Sequence, residues 1–349
     1  MQDLGAIFPY VATYIAEQIN VIPPQYGLVT KTLNLFPREG ITSRTIEMRY
    51  ENYQILVLAA RGLGSPPQLL EERTGKEVLM GVPYFPLLDL IRPSDIQDMT
   101  NVADGQKRVN TLNEELDKRL MNIRLNHDMT WEWLCSQALQ GKIIDGANTT
   151  LYDLYNVFNV PKVTVDFDLG TPTSDIAAHC AQVWQTISQN ITQDTMTGVE
   201  CIVDPTFFQK LVNHANVKQF YLQAEQAMLL LNIDRLRGSR EAQMWGRSIE
   251  LFNILWREYY GQASVKVGGS RVNTPFWAAN SGTAYPSGTS TMFRTYDAPA
   301  EDIRYVNTRG QPIYISPKIL DHGQGLELLS QSNTLPIVRR PAAVVQLTS

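Results

Sequence analysis

The chain has little of what most catalytic centres and most stapled folds require. Its 349 residues include three cysteines, Cys135, Cys180 and Cys201, and four histidines, His127, His179, His214 and His322. The cysteines are too few and too scattered for a disulfide framework, and neither residue type falls at zinc-ligand spacing. Cysteines of this kind read as small buried hydrophobes in a reducing environment. No apolar run reaches the roughly 18 residues that a membrane-spanning helix needs. No lysine or arginine precedes Lys31, whereas Asp3 and Glu17 do, so the N-terminal segment reads neither as a secretory leader nor as a basic arm. Charged residues make up 19% of the chain and the net charge is −5. That balance argues against a general nucleic-acid binder, which needs clustered Lys and Arg. Low charge beside 44% hydrophobic residues points to large buried surfaces, within or between subunits.

Motifs for chemistry are missing as well. In Thr74-Gly75-Lys76-Glu77, Leu70 stands where a phosphate loop needs its first glycine, and Glu77 replaces the Ser/Thr. Gly62-Leu63-Gly64 runs into Pro67, which breaks a dinucleotide pattern. Neither Ser270 nor Ser290 lies in Gly-x-Ser-x-Gly. The carboxylate pairs Glu114-Glu115 and Asp166/Asp168 read as solvated or ion-paired groups. Asn148 and Asn190 begin Asn-x-Thr sequons, which matter only in a secreted chain. The expectation is a protein without catalytic residues, metal or cofactor.

Residues 43–58 carry the strongest pattern. Ile46, Met48 and Tyr50 alternate with Glu47, Arg49 and Glu51, so one face is apolar and the other charged, as in a strand. Fully extended, that strand would run about 50 Å. Leu28 to Leu35 reads as a second strand, joined to it across Phe36-Pro37-Arg38-Glu39-Gly40, where Pro and Gly mark a turn. Such a hairpin could lay Ile46, Met48 and Tyr50 on a neighbour while Glu47, Arg49 and Glu51 set register through charge pairs, with Arg38 and Glu39 of the turn as further inter-subunit contact candidates. The alternative is an ordinary half-buried hairpin packed within its own fold.

A helix-like apolar stripe occupies residues 1–25 and ends at Pro23-Pro24. A second stripe, Val109, Leu112, Leu116, Leu120, Ile123, Trp131, Leu134 and Ala138, predicts a long helix over 104–141 with Gly141 as its stop. Asp128 could instead cap a second, shorter helix. Strands are expected at 162–169, 199–204, 249–267, 271–278 and 311–316. Helices are expected from Asp175, capped by Thr173 or Ser174, from Pro205, and over 218–231 and 237–243. Pro336 to Ser349 ends the chain on an apolar strand, which suits a terminus that completes a sheet begun much earlier. The length exceeds the roughly 250–300 residues at which single cores split, so two packed domains plus extensions are expected.

Several segments, taken in order, resemble the tailed-phage major capsid protein E family, the lambda-type capsid proteins with a Hong Kong 97-like fold. They are Asn34-Leu35-Phe36-Pro37 with Thr45 to Tyr50, Tyr84-Phe85-Pro86 through Ile96, and Val203-Asp204-Pro205-Thr206-Phe207-Phe208. The most specific are Phe293 to Glu301, Tyr305 to Pro312, and Ser332 to Leu347. The resemblance implies an α+β capsid fold with an N-terminal arm (1–26) and an extended hairpin loop (27–80). It implies a peripheral domain (81–179) built on the spine helix 104–141 and completed by 330–349, and an axial domain (180–329). It implies a major capsid protein that self-assembles into hexamers and pentamers of an icosahedral shell around double-stranded DNA, without sequence-specific binding. Implied partners are a separate scaffolding protein, a portal and a decoration protein, with assembly in the host cytoplasm and residence in the virion. An encapsulin-like compartment shell is the alternative of the same fold.

Overall fold

The computed structural model describes residues 27–51, 75–95, 100–103, 106–109, 112–191, 194–220, 247–267 and 270–349. The expected helical stripe at 1–25, the far part of the long strand at 52–58, the helix at 237–243 and most of that at 218–231 lie outside the described residues.

A π-helical turn at Leu28–Thr32 is followed by β1 (Arg38–Gly40), β2 (Thr45–Glu51), β3 (Gly75–Gly81), β4 (Phe85–Ile91), β5 (Thr100–Ala103) and β6 (Gln106–Val109). The long helix α1 (Leu112–Leu139) comes next, then β7 (Lys142–Ile144), β8 (Thr150–Asp153), α2 (Leu154–Phe158), β9 (Val163–Asp166), α3 (Ile176–Asn190), β10 (Gly198–Val203) and α4 (Pro205–Asn213). The remainder is strand-rich: β11 (Ser248–Leu251), β12 (Ile254–Glu258), β13 (Gln262–Val267), β14 (Ser270–Pro275), β15 (Ser281–Ser287), β16 (Phe293–Asp297), β17 (Tyr314–Ile319), β18 (Leu326–Ser332), β19 (Thr334–Val338) and β20 (Val345–Thr348). The fold is α+β, as the sequence suggests.

Helix α1 has 28 residues, about 42 Å at about 1.5 Å per residue. It starts later than expected because Thr100–Ala103 and Gln106–Val109 pair as the antiparallel strands β5 and β6. Asp128 caps nothing. It sits inside the helix and pairs with Lys31 at 3.0 Å and Arg124 at 3.4 Å. Gly141 ends the helix with φ +89°, and a Cβ there would meet the Tyr155 ring at 2.1 Å. The first half of α1 lays Leu116, Leu120 and Ile123 on a sheet ordered β17–β18–β4, against Ile315 and Leu328. The second half enters the main core, where Trp131, Leu134 and Ala138 meet Phe36, Phe293 and Leu335.

A six-stranded mixed sheet, ordered β11–β12–β10–β15–β20–β9, forms a second core. Its β20 runs parallel to β9 and antiparallel to β15, so the apolar C-terminus does return to an earlier sheet. The expected strand over 249–267 breaks where Phe252 and Asn253 adopt positive φ and turn β11 back onto β12. Asp175, rather than Thr173 or Ser174, caps α3, its side chain accepting from Ala178 N. Asp204 caps α4, with Pro205 at the first helical position, where its missing N–H costs nothing. Phe167 and Phe207 pack on Trp256 with ring centroids 5.5 and 6.0 Å away. The sheet takes β9 from before residue 180 and its other five strands, β10, β11, β12, β15 and β20, from after it.

The strand expected at Leu28–Leu35 is absent. Gly27, at φ +133°, starts the π-helical turn, and its carbonyl accepts from Lys31 N and Thr32 N. Leu28 and Val29 are buried in the main core. Val29 and Thr32 are β-branched and favour strands locally, but burial against α1 decides otherwise.

Candidate assembly surface

Strand β2 pairs antiparallel with β3, not with 28–35. The register sets Ile46 opposite Met80, Glu47 opposite Leu79, and Met48 opposite Val78. One face of this hairpin, Ile46, Met48, Val78 and Met80, packs on the main core of its own chain. The other face carries Glu47, Glu77 and Leu79, and Leu79 is 69% exposed. Tyr152 Oη pins the end of β3, accepting from Gly81 N and donating to Gly81 O, both at 2.9 Å.

The root of the hairpin is held by a dense set of contacts. β1 runs parallel to β16 in a sheet ordered β1–β16–β19. Arg38 reaches both oxygens of Asp297, at 3.0 and 3.1 Å, and its guanidinium carbon lies 3.8 Å from the centroid of the Trp131 ring. Trp131 Nε1 donates to Thr295 Oγ1, which donates to the carbonyl of Phe36. Burial pushes the Asp297 carboxyl above its ordinary range, against the opposing pull of Arg38. Gly310 passes so close to this strand that a Cβ would lie 1.9 Å from the Asp297 carbonyl oxygen. Arg44 and Glu301 pair at 3.3 Å in the open, worth about 0–1 kcal/mol at most.

The expected contact residues therefore divide. Arg38 is an internal clamp, and Ile46 lies in its own core with Met48 packed beside it, because the hairpin face that alternation identifies is covered by the same chain. Glu39 and Glu47 are exposed. Arg49, Tyr50 and Glu51 belong to β2, and their side chains lie outside the described residues. Exposed apolar groups that periodicity does not single out are Leu79, Leu88 at 59%, Ile303 at 93% and Val306 at 61%. Leu79 sits inside the continuous apolar run Val78-Leu79-Met80, and only the pairing with β2 tells which of the three faces outward. Ile303 and Val306 flank a cavity of about 560 Å³ shared with Thr42, Ser43 and Arg44.

The groups a chemist would try first have structural tasks. His127 is buried between the Ser330 and Ser332 hydroxyls at 3.0 Å from each, and burial lowers it from 6.5 to about 4. His214 Nε2 meets the Thr171 carbonyl at 3.0 Å, and His179 packs on Phe167. All three cysteines are free and buried. Among the described residues, no group of His, Cys, Asp and Glu could hold a metal, and no helix is long and apolar enough to cross a membrane.

A spine helix that runs from a three-stranded sheet into the main core, a mixed sheet that takes in the C-terminal strand, and a hairpin rooted beside the chain's N-terminal part define the Hong Kong 97-like capsid class of fold. A crystal structure described as a prophage capsid protein from E. coli CFT073 matches with a TM-score of 0.61 at 12% identity, covering 97% of this chain and 98% of that one. The family model for phage major capsid protein E matches residues 12–349, and the chain belongs to that family. It is 26% identical to the major capsid protein of Salmonella phage Felix O1, over 95% of this chain and 94% of that protein. It is 28% identical to the major capsid protein of Pseudomonas phage KPP10, over 96% and 95%.

Proposed function

We propose that the chain is the repeating subunit of a tailed-phage head, forming hexamers and pentamers of an icosahedral shell around double-stranded DNA. The observation that carries this is family agreement across residues 12–349, with relatives that are themselves named major capsid proteins. The encapsulin-like alternative has no observation of its own in its favour.

The physics of the subunit fits. A closed shell is made from repeated heterologous contacts, and its obligate interfaces exceed about 2,000 Å². Leu79, Ile303 and Val306 are apolar groups left in water by their own chain, so a neighbour is the natural cover. Glu39 and Glu47, with Arg49, Tyr50 and Glu51 further along β2, would set register at the rim. Residues 1–26 would be the arm, β2 and β3 the base of the extended loop, α1 the spine of the peripheral domain, and the six-stranded sheet the link to the axial domain. A net charge of −5 leaves the shell weakly adhesive to DNA, which must slide past it during packaging. A scaffolding protein, a portal and a decoration protein would be the other partners, with assembly in the host cytoplasm. The subunit would carry no catalytic activity.

Light scattering and negative-stain microscopy of the purified chain, alone and with its scaffold, test this reading. Closed particles are expected. A monodisperse monomer at high protein concentration under both conditions would overturn it.

A further inference from the structure

A cavity of about 680 Å³ opens at the root of the hairpin, between Thr42, Ser43, Phe158, Tyr296, Arg309 and Arg339. Arg339 follows β19, and its Nη2 donates to the Tyr296 hydroxyl. Its Nε–H is buried and, among the described residues, has no acceptor. A guanidinium presents its donors in a planar fork that matches a carboxylate, and a buried charged donor without a partner is costly. Arg309 adds a second cation to the wall, steadied by an Nε hydrogen bond to the Gly40 carbonyl at 3.2 Å. Glu47 is the one carboxylate among the described lining residues. The site holds two guanidiniums against one carboxylate, with Ser and Thr hydroxyls at its rim.

We infer that this cavity receives a carboxylate side chain from a neighbouring copy of the chain, gripped between Arg339 and Arg309. The inference rests on the shell reading and names one of its contacts. Charge chooses the occupant: 35 acidic residues against 30 basic ones leave each copy with surplus carboxylates, while this cavity is cationic. Its volume falls in the range of pockets that enclose a small ligand, about 300–1,000 Å³, so the tip of a loop fits. The cavity borders Ile46 and Met48, so a carboxylate docked there would tie a neighbour to the base of the hairpin.

The test uses full-length Arg339→Ala, Arg339→Lys and Arg309→Ala subunits. Thermal midpoints are read on dissociated subunits, and the concentration threshold for particles is read by sedimentation. Arg339→Ala is expected to stay near the wild-type midpoint, since losing the hydrogen bond to Tyr296 is offset by removing the buried Nε donor that has no acceptor, and to raise the threshold at least tenfold. Arg339→Lys, which keeps the charge but not the fork, should recover only part of the loss, and Arg309→Ala should raise the threshold too. Wild-type thresholds in both alanine variants would overturn the inference and leave the shell reading standing, whereas a wild-type chain that forms no particles overturns both. A lowered Arg339→Ala midpoint that Tyr296→Phe reproduces would assign Arg339 to subunit packing and overturn the inference. So would a midpoint raised by inorganic phosphate in the wild type, with normal assembly of Arg339→Ala, which assigns the cavity to a free anion.

Discussion

Glu132 offers the sharpest test of how the N-terminal part of the subunit is fastened to the spine. It lies on α1 and is fully buried. Oε1 accepts from Val29 N at 2.9 Å and from the Tyr259 hydroxyl at 3.0 Å. Oε2 accepts from Thr30 N at 2.9 Å and from Thr30 Oγ1 at 2.6 Å. Four donors converge on one acceptor-only group, so the ionised carboxylate satisfies all of them. In Glu132→Ala the two hydroxyls can rotate toward other partners, but the two backbone N–H groups cannot. Each unsatisfied buried donor costs about 1–3 kcal/mol, so the substitution is expected to destabilise the subunit by about 2–6 kcal/mol. That is a large share of the roughly 5–15 kcal/mol typical of a folded domain. Glu132→Gln keeps one oxygen but turns an NH₂ toward remaining donors, and should fall between Ala and wild type. Urea denaturation of dissociated subunits measures this as a lowered midpoint at unchanged slope. An alanine variant within about 1 kcal/mol of wild type, below the range for even two weak donors, would refute the argument that these hydrogen bonds hold the turn at Leu28–Thr32 on the spine.

Three further outcomes are expected. Arg38→Ala leaves the Asp297 carboxylate buried without its cation, a loss of about 3–5 kcal/mol near neutral pH. Because burial already holds Asp297 above its ordinary value, protonation favours the native state. The thermal-midpoint gap to wild type should narrow as pH falls toward 3.8, and a constant gap would contradict this. His127 is neutral in the native state down to about 4 but protonates near 6.5 when unfolded. Its share of stability is therefore present above 6.5 and falls by about 3 kcal/mol toward pH 4. His127→Gln, which can still bond Ser330 and Ser332, should remove that part of the pH profile; identical profiles would refute it. Met80→Glu buries a charge in the main core and should yield unfolded or insoluble subunits, whereas Leu79→Glu, one residue away on the outward face, should leave the midpoint unchanged and abolish particles.

Much of the fold can be read from local pattern. Leu116, Leu120, Ile123, Trp131 and Ala138 recur at helical spacing, Gly141 stops the helix, and Asp204-Pro205 opens α4, because each signal acts within a few residues. The apolar C-terminal strand is equally plain. What local pattern does not carry is pairing at a distance. β2 and β3 are separated in sequence by residues 52–74, so the strand-like character of 28–35 offers a nearer but false partner. At the Leu28–Thr32 turn, two backbone N–H groups find Glu132 about a hundred residues away, and no neighbour in sequence announces it. The assembly surface is harder still. Alternation of Ile46 and Met48 with Glu47 identifies a face that must be covered, but burial has the same signature whether the cover is the chain's own core or another copy. The structure places those two residues inside, and leaves Leu79, Ile303 and Val306 outside.

The most direct measurement is a cryo-electron microscopy reconstruction of particles assembled from this chain. A closed icosahedral shell is expected in which Leu79, Ile303 and Val306 are each covered by a neighbouring copy, while Ile46 and Met80 stay in their own subunit's core. Particles in which those three exposed side chains face solvent, or in which Ile46 and Met80 leave their own core, would contradict it.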